Sequence, residues 1–401
     1  MHNVRCTATL LLLIPLVMRA QVLTGDDVLL RSRLDILSGK RVGVVANQAS
    51  RLRSGDNLVD ALVRHGVNVT VIFAPEHGFR GVAGPGVPLS DTIDLRTRIP
   101  ISSLYGRTTK PTDAMLGRVD VLVYDLQDVG VRFYTYTSTM YLVMEAAADR
   151  HIPVVVLDRP DPLGGEIVDG PILSDSLRSF LGMMPLPVVY GLTCGELARM
   201  IVGEHWLGKG REVDLTVIPM EGWKRRMSWD ETKLPWFRPS PNMPSPRTCL
   251  AYPVTCFLEA TNVSEGRGTD SPFETIGAPF IDADSLVAAL RLECPEIGWE
   301  PASFTPRSSK YRDTLCHGVR LRLDSVSVVR PVECGLFLVR ILMRLCPRTM
   351  EIRKDGLDRL AGSFTFFQSL SNHARDQDVL PVWEKGAAEF ARLSKRYRLY
   401  P

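Results

Sequence analysis

The stretch PEHGFRG (residues 75–81) places an acid, an imidazole and a guanidinium directly after the apolar run VNVTVIFA (residues 67–74). A glutamic acid at the end of a buried strand meets little water, which favours its neutral form. A neutral carboxyl group can protonate a departing glycosidic oxygen, so Glu76 is the leading candidate for a general acid. The competing reading is that Glu76 salt-bridges an arginine or caps a helix. A second set of side chains follows VDVLVY (residues 119–124): Asp125, Gln127, Asp128, Arg132 and Tyr134. Asp125 and Asp128 are candidates for base, nucleophile or charge stabiliser opposite the acid. The sequence does not divide those roles between them, and an Asp that shapes the turn before Gly130 is the alternative.

A third concentration is TNVSEGRGTDSPFE (residues 261–274). Gly266 and Gly268 permit unusual backbone angles there, and Asn262, Glu265, Arg267, Asp270 and Glu274 supply polar groups. It is longer and denser than a plain surface turn, and is expected to line a crevice. Carboxylates, amides, arginines and aromatics suit a sugar, whose hydroxyls need donors and acceptors and whose ring faces need aromatic contacts. Other chemistries find less support. There is no GxGxxG, no Walker sequence and no GxSxG elbow. His77 has no companion histidines at ligand spacing, so no metal or other cofactor is expected, and its other role is to orient the loop or bond a hydroxyl. Cys194 stands at a helix start that favours a thiolate, but no His or Asn partner is placed for it and a structural thiol is expected.

Positioning these groups requires a particular scaffold. Residues 41–46 (RVGVVA), 67–74, 119–124 and 153–157 (PVVVL) are short Val/Ile/Leu runs, and residues 57–65 and 139–150 read as helices. Alternation of this kind predicts a parallel sheet covered on both faces, a Rossmann-like α/β domain. In such sheets the ligand lies beyond the carboxyl ends of the strands. Asn47, Glu76, Asp125 and Asp158 follow the four runs and are therefore expected to share one crevice. Thr193 and Glu196 form a capping-box pattern for a helix reaching about residue 204, and residues 215–219 add a last strand. Residues 233–247 hold five prolines and are expected to form neither helix nor strand. The domain boundary is placed at residue 223. Beyond it, helices near 283–292, 332–345 and 382–394 and a strand near 318–323 follow no simple alternation, which predicts a smaller α+β domain.

With 401 residues and 45% hydrophobic content the chain can build two cores, and a net charge of +3 with no basic stripe argues against nucleic-acid partners. Residues 1–20 carry Arg5, a short apolar run and Ala20 before Gln21, the pattern of a secretory signal peptide; a buried N-terminal helix is the competing reading. Export to the periplasm or beyond is thus expected, with residues 21–222 and 223–401 as the two domains and no membrane insertion after cleavage. Seven cysteines follow residue 20. An oxidising compartment permits a bridge or two between them, but their spacing fixes none.

PEHGFRG, DLQDVGVRFYTY (residues 125–136), LDRPDPLGG (157–165), PSPNMPS (239–245) and EATNVSEGRGTDSPFETIGAP (259–279) together resemble the signature blocks of the NamZ-type exo-β-N-acetylmuramidases. The resemblance implies a Rossmann-like catalytic domain, an auxiliary domain and a cleft between them. It also implies release of terminal N-acetylmuramic acid from non-reducing ends of peptidoglycan fragments, in cell-wall recycling, with Glu76 as the family's proposed catalytic glutamate. A muramic substrate carries a lactyl carboxylate. Arg80, Arg132 and Arg267 are the candidates to hold it, since a guanidinium can make two parallel hydrogen bonds to a carboxylate. VAGPG (residues 82–86) stands where the family has an acidic, alanine-rich run, and NQAS replaces its usual NQTG after the first strand. Two other readings compete: a non-catalytic muropeptide-binding protein, and another cell-wall hydrolase, metal-assisted chemistry included.

Overall fold

A computed structural model describes residues 21–81, 86–87, 90–323, 330–371 and 376–401. Residues 1–20, and with them the expected export signal, lie outside the described residues, as does most of VAGPG. Seven strands form the first sheet: β1 (Val42–Ala46), β2 (Val69–Ala74), β3 (Thr92–Ile93), β4 (Pro100–Ser103), β5 (Val121–Asp125), β6 (Val154–Leu157) and β7 (Leu215–Ile218). Their spatial order is β3-β4-β2-β1-β5-β6-β7, and every neighbouring pair is parallel except β3–β4. β1, β5 and β6 are buried at every residue, which explains their unbroken apolar sequences. The order reverses at β1, whose neighbours are β2 on one side and β5 on the other.

Among the described residues, five helices accompany this sheet: α1 (Gly25–Ser32), α2 (Leu58–Arg64), α3 (Asp113–Leu116), α4 (Tyr136–Asp149) and α5 (Cys194–Gly203). Asn57 caps α2 through Val59 N–H, and the Thr193–Glu196 capping box opens α5 as its spacing predicts. α1 is an addition to the elements expected from the sequence. It packs so closely on the end of β6 that a Cβ on Gly25 would lie 2.4 Å from Asp158 N, so only glycine fits there.

The second half begins with the one-turn helix α6 (Trp229–Thr232) and α7 (Pro246–Thr255), followed by a 3₁₀ turn at Cys256–Ala260. The expectation that residues 233–247 contain no helix is corrected at its last two residues. Pro246 occupies the first helical position, where its missing N–H costs nothing, and Ser245 caps Thr248. A small antiparallel sheet of β8 (Thr275–Ala278), β9 (Gly298–Phe304) and β10 (Cys316–Arg322), in the order β8-β10-β9, packs with α8 (Ala283–Glu293) and α9 (Pro331–Leu345). α10 (Lys354–Ala361), α11 (Phe364–Ser371) and α12 (Asp376–Ser394) complete the chain.

The two halves share a core. One apolar cluster runs from Tyr124 and Met140 through Phe133 and Tyr134 to Tyr252, Phe257, Phe273 and Leu338. Edge-to-face contacts carry it across: Phe133 meets Tyr252 at 5.1 Å and Tyr252 meets Phe273 at 4.5 Å between ring centroids. All seven described cysteines are buried free thiols, so no bridge forms among the described residues.

Candidate active site

The carboxyl ends of β1, β5 and β6 do not open into a crevice. Arg159, which follows β6, is buried there between two carboxylates. Its Nε donates to Asp125 at 2.6 Å and its Nη2 to Asp26 at 2.7 Å. Burial pushes Asp26 up to about 7 despite that arginine, and raises Asp125 likewise. The stretch between α6 and α7 then folds over these strand ends. Gln48 Nε2 donates to the carbonyls of Arg238 (3.0 Å) and Pro239 (2.9 Å), and the Tyr136 hydroxyl donates to Pro239 O at 2.8 Å. What remains is a gap of about 20 Å³ bordered by Ala49, Gln127, Arg159 and Phe237. The expectation of one crevice shared by all four strand ends is therefore corrected: a segment from much later in the chain fills the switch point.

The open space lies to one side, beyond β2 and β4. A cavity of about 200 Å³ is lined by Glu76, His77, Tyr105, Phe133, Tyr134 and Thr135 from the first half, with Phe180 and Leu181. From the second half come Ser240, Asn242, Met243, Tyr252, Glu259, Arg267, Phe273 and Leu360. A larger cleft of about 530 Å³, around Arg225 and Arg247, gathers nothing from residues 75–81 or 261–274. Glu76 is half-buried. Its Oε1 accepts from Gly86 N at 3.0 Å and its Oε2 from the Thr135 hydroxyl at 3.1 Å. The Tyr105 phenol also bonds to it; burial first, and then the neighbouring Glu76 carboxylate, push that phenol up to about 12. Directly after Glu76 the backbone turns through two left-handed residues, His77 at φ 74° and Gly78 at φ 79°. A histidine rarely holds that conformation, and here it keeps the imidazole on the cavity wall.

The remaining expected residues divide clearly. His77, Tyr134 and Arg267 line the cavity. Asp125 and Asp128, expected as carboxylates opposite the acid, do not. Asp125 belongs to the Arg159 network, and Asp128 is buried with its Oδ2 accepting from the Tyr190 hydroxyl and from Gly130 N. Burial raises Asp128 to about 6. Asn47 is spent on structure: its Nδ2 donates to the Tyr136 hydroxyl at 2.8 Å. Gln127 donates to the carbonyls of Asp128 and Pro160. Arg80 points to the far side of its loop and pairs with Asp60 and Asp94. Arg132 is fully buried among the carbonyls of Pro171, Leu186 and Leu360, and burial without an anion lowers it to about 9. Neither arginine reaches the cavity.

In the 261–274 stretch, Asn262 holds residues 349–351 through Thr349 O and Glu351 N, and Asp270 is exposed. Glu274 accepts from Ser245 and Thr248 at the start of α7. Glu265 is buried beneath Arg267 and is shared with Lys310, at 3.1 and 2.9 Å. Burial also pushes the Cys194 thiol well up, which removes the reactive reading.

The sequence singles out neither Tyr105, Thr135 and Phe180 nor Ser240, Asn242, Tyr252 and Glu259. Thr135 stands inside DLQDVGVRFYTY, Ser240 and Asn242 stand inside PSPNMPS, and Glu259 heads the block at 259–279, so a signal is present for these four. Tyr105 follows a four-residue strand and has none.

Known proteins share this layout. Residues 42–247 match a family described as "Exo-beta-N-acetylmuramidase NamZ, N-terminal", and residues 250–400 match its C-terminal counterpart. A Bacillus subtilis (strain 168) protein named "Peptidoglycan beta-N-acetylmuramidase NamZ" is 42% identical over 385 residues, covering 95% of this chain and 92% of that protein. Two crystal structures of DUF1343 family proteins from Bacteroides fragilis NCTC 9343 superpose with TM-scores of 0.88 and 0.80, at 35% and 33% identity. Each match covers 95% of this chain and 99% of the other.

Proposed function

Because this chain belongs to the NamZ exo-β-N-acetylmuramidase family, we propose that it is a glycosidase releasing terminal β-linked N-acetylmuramic acid from the non-reducing ends of peptidoglycan fragments. The observation that carries the reading is Glu76, whose side chain lines an open cavity at the end of β2. A space of about 200 Å³ is small, which supports a chain terminus as its occupant. Glu76 gives its proton to the glycosidic oxygen as the C1–O bond breaks. Thr135 and Tyr105 fix the direction of its carboxyl group. The aromatic wall of Phe133, Tyr134, Phe180, Tyr252 and Phe273 takes the apolar faces of the sugar. Of the three candidate arginines, Arg267 alone lines the cavity, which supports it as the group that holds the lactyl carboxylate.

Export through residues 1–20, action in the periplasm or beyond, and service in cell-wall recycling belong to the same proposal and rest on the signal-peptide pattern and the substrate's location. The test is release of chromophore from an aryl β-N-acetylmuraminide. The intact protein is expected to release it. With an unactivated disaccharide, Glu76→Gln is expected to lose about 10²–10⁴-fold in kcat, the usual contribution of a positioned acid. Binding of muramic sugar with no release by the intact protein would favour a muropeptide-binding role, and activity abolished by chelator would favour a metal-assisted hydrolase.

A further inference from the structure

A glycosidase of two carboxyl groups needs one on each side of the scissile bond, and the loss of Asp125 and Asp128 from the cavity leaves Glu76 without a counterpart in its own half. Among the described residues lining the cavity there is one other carboxyl group, Glu259. It arrives from the second half, on the 3₁₀ turn Cys256–Ala260 that continues α7. We infer that Glu259 is the second catalytic carboxylate, acting at C1 of the muramic residue from the side opposite the departing oxygen.

The surroundings of the two groups divide the work. The bonded partners of Glu76 are a backbone N–H and hydroxyls. Glu259 is bonded to the Arg267 guanidinium, which is itself held 5.1 Å over the Phe273 ring and tied at Nε to Glu265. Burial opposes the charge on Arg267, but Glu259 and then Glu265 push its pKa above the ordinary arginine value. The cationic partner of Glu259 and the uncharged partners of Glu76 are what distinguish the two carboxyl groups. The turn itself is anchored. Thr261 N–H donates to Leu258 O, the Lys310 ammonium donates to Leu258 O at 2.7 Å, and Arg353 reaches the carbonyl of Glu259.

In the step, the C1–O bond breaks and its electron pair leaves on the oxygen, which takes the proton of Glu76. Positive charge develops at C1 against Glu259. Water then adds its oxygen to C1, and its proton returns to the pair of carboxyl groups, so water is the only co-reactant.

This inference rests on the glycosidase reading, and its test separates the two. Glu259→Ala and Glu76→Gln are compared in the full chain on an unactivated disaccharide and on an aryl muraminide with a good leaving group. Circular dichroism and calorimetric binding of N-acetylmuramic acid establish that each variant folds and binds. Glu76→Gln is expected to recover on the good leaving group, which needs no proton. Glu259→Ala is expected to lose about 10²–10³-fold on both substrates, the range set by removing a group that acts directly on the transition state. Added azide should restore turnover to it and give the α-glycosyl azide by NMR. A folded, binding Glu259→Ala that keeps its rate on either substrate, or that azide does not rescue, overturns the inference. Should the alanine variant fail to fold, Glu259→Gln preserves the shape of the side chain, and loss or retention of its rate on the two substrates decides in the same way. A Glu76→Gln variant active on the unactivated disaccharide would instead remove the acid assignment and leave this one standing.

Discussion

Arg267 and Asp128 show how differently two side chains singled out by type come to be used. Arg267 lines the cavity with its fork partly engaged, so its substitution by lysine keeps a positive charge beside Glu259 and removes the planar geometry. We expect Arg267→Lys to raise KM for an aryl N-acetylmuraminide by about 10-fold, the worth of one charge-assisted contact at roughly 1.4 kcal/mol. The analogous N-acetylglucosaminide lacks the lactyl group, so its KM should stay the same. Equal effects on both would remove Arg267 from lactyl recognition. Asp128 has a structural use. Burial raises its pKa from 3.8 to about 6, so the folded protein holds this proton more tightly than the unfolded chain does. The contribution is complete below about pH 4 and is lost as pH rises through about 6, with the folded state binding the extra proton throughout that window. That difference corresponds to on the order of 3 kcal/mol. Urea melts at pH 4 and pH 7 should therefore show a smaller difference for Asp128→Asn than for the intact protein; an unchanged difference would mean that this group is not what titrates.

Elements decide which strand end becomes the site. The apolar runs at 41–46, 67–74, 119–124 and 153–157 were legible because strands buried on both faces carry uninterrupted Val, Ile and Leu. β3 and β4 were not, with two and four residues and a proline opening β4. The strand-end rule led to Glu76 and His77, and both line the cavity. It failed for Asn47 and Gln127 because it is silent about a later segment. Nothing in residues 41–48 announces that Arg238 and Pro239 will lie across them. Arg132 misled for a related reason: a guanidinium after a strand reads as a ligand group, and only the fold shows it enclosed by Leu186 and Leu360. Tyr136 joins the sheet to the covering segment, accepting from Asn47 and donating to Pro239. Tyr136→Phe leaves those two buried groups without this partner and is expected to cost about 1–3 kcal/mol in chemical denaturation. Because Ser240, Asn242 and Met243 continue that segment into the cavity, KM should rise more than kcat falls. An intact KM in a destabilised variant would show that the segment holds its place without the hydroxyl.

At the scale of the molecule, the halves cannot be treated as independent bodies. Beyond their common apolar cluster, the end of the chain returns to the first sheet. The Tyr400 hydroxyl donates to Asp158 at 2.5 Å and accepts from Met220 N at 2.9 Å, while its ring meets Trp223 edge-on. Leu399 N donates to Glu196, and the Pro401 carbonyl accepts from Arg225 N. Removing residues 397–401 exposes an aromatic side chain's worth of core and deprives buried Asp158 of a donor, at a cost of about 3 kcal/mol. A fall in Tm of roughly 4 °C is expected by calorimetry, with activity per folded molecule retained because the cavity lies elsewhere. A melting curve unmoved by the deletion would show that the tail rests on the sheet without supporting it.

The same tail sets an order of events. The sheet that carries Glu76 emerges from the ribosome well before residues 399 and 400, which supply donors to its buried Glu196 and Asp158. Until residue 400 is available, buried Asp158 lacks the Tyr400 hydroxyl and Glu196 lacks Leu399 N, so the early half folds with less stability than the longer chain gives it.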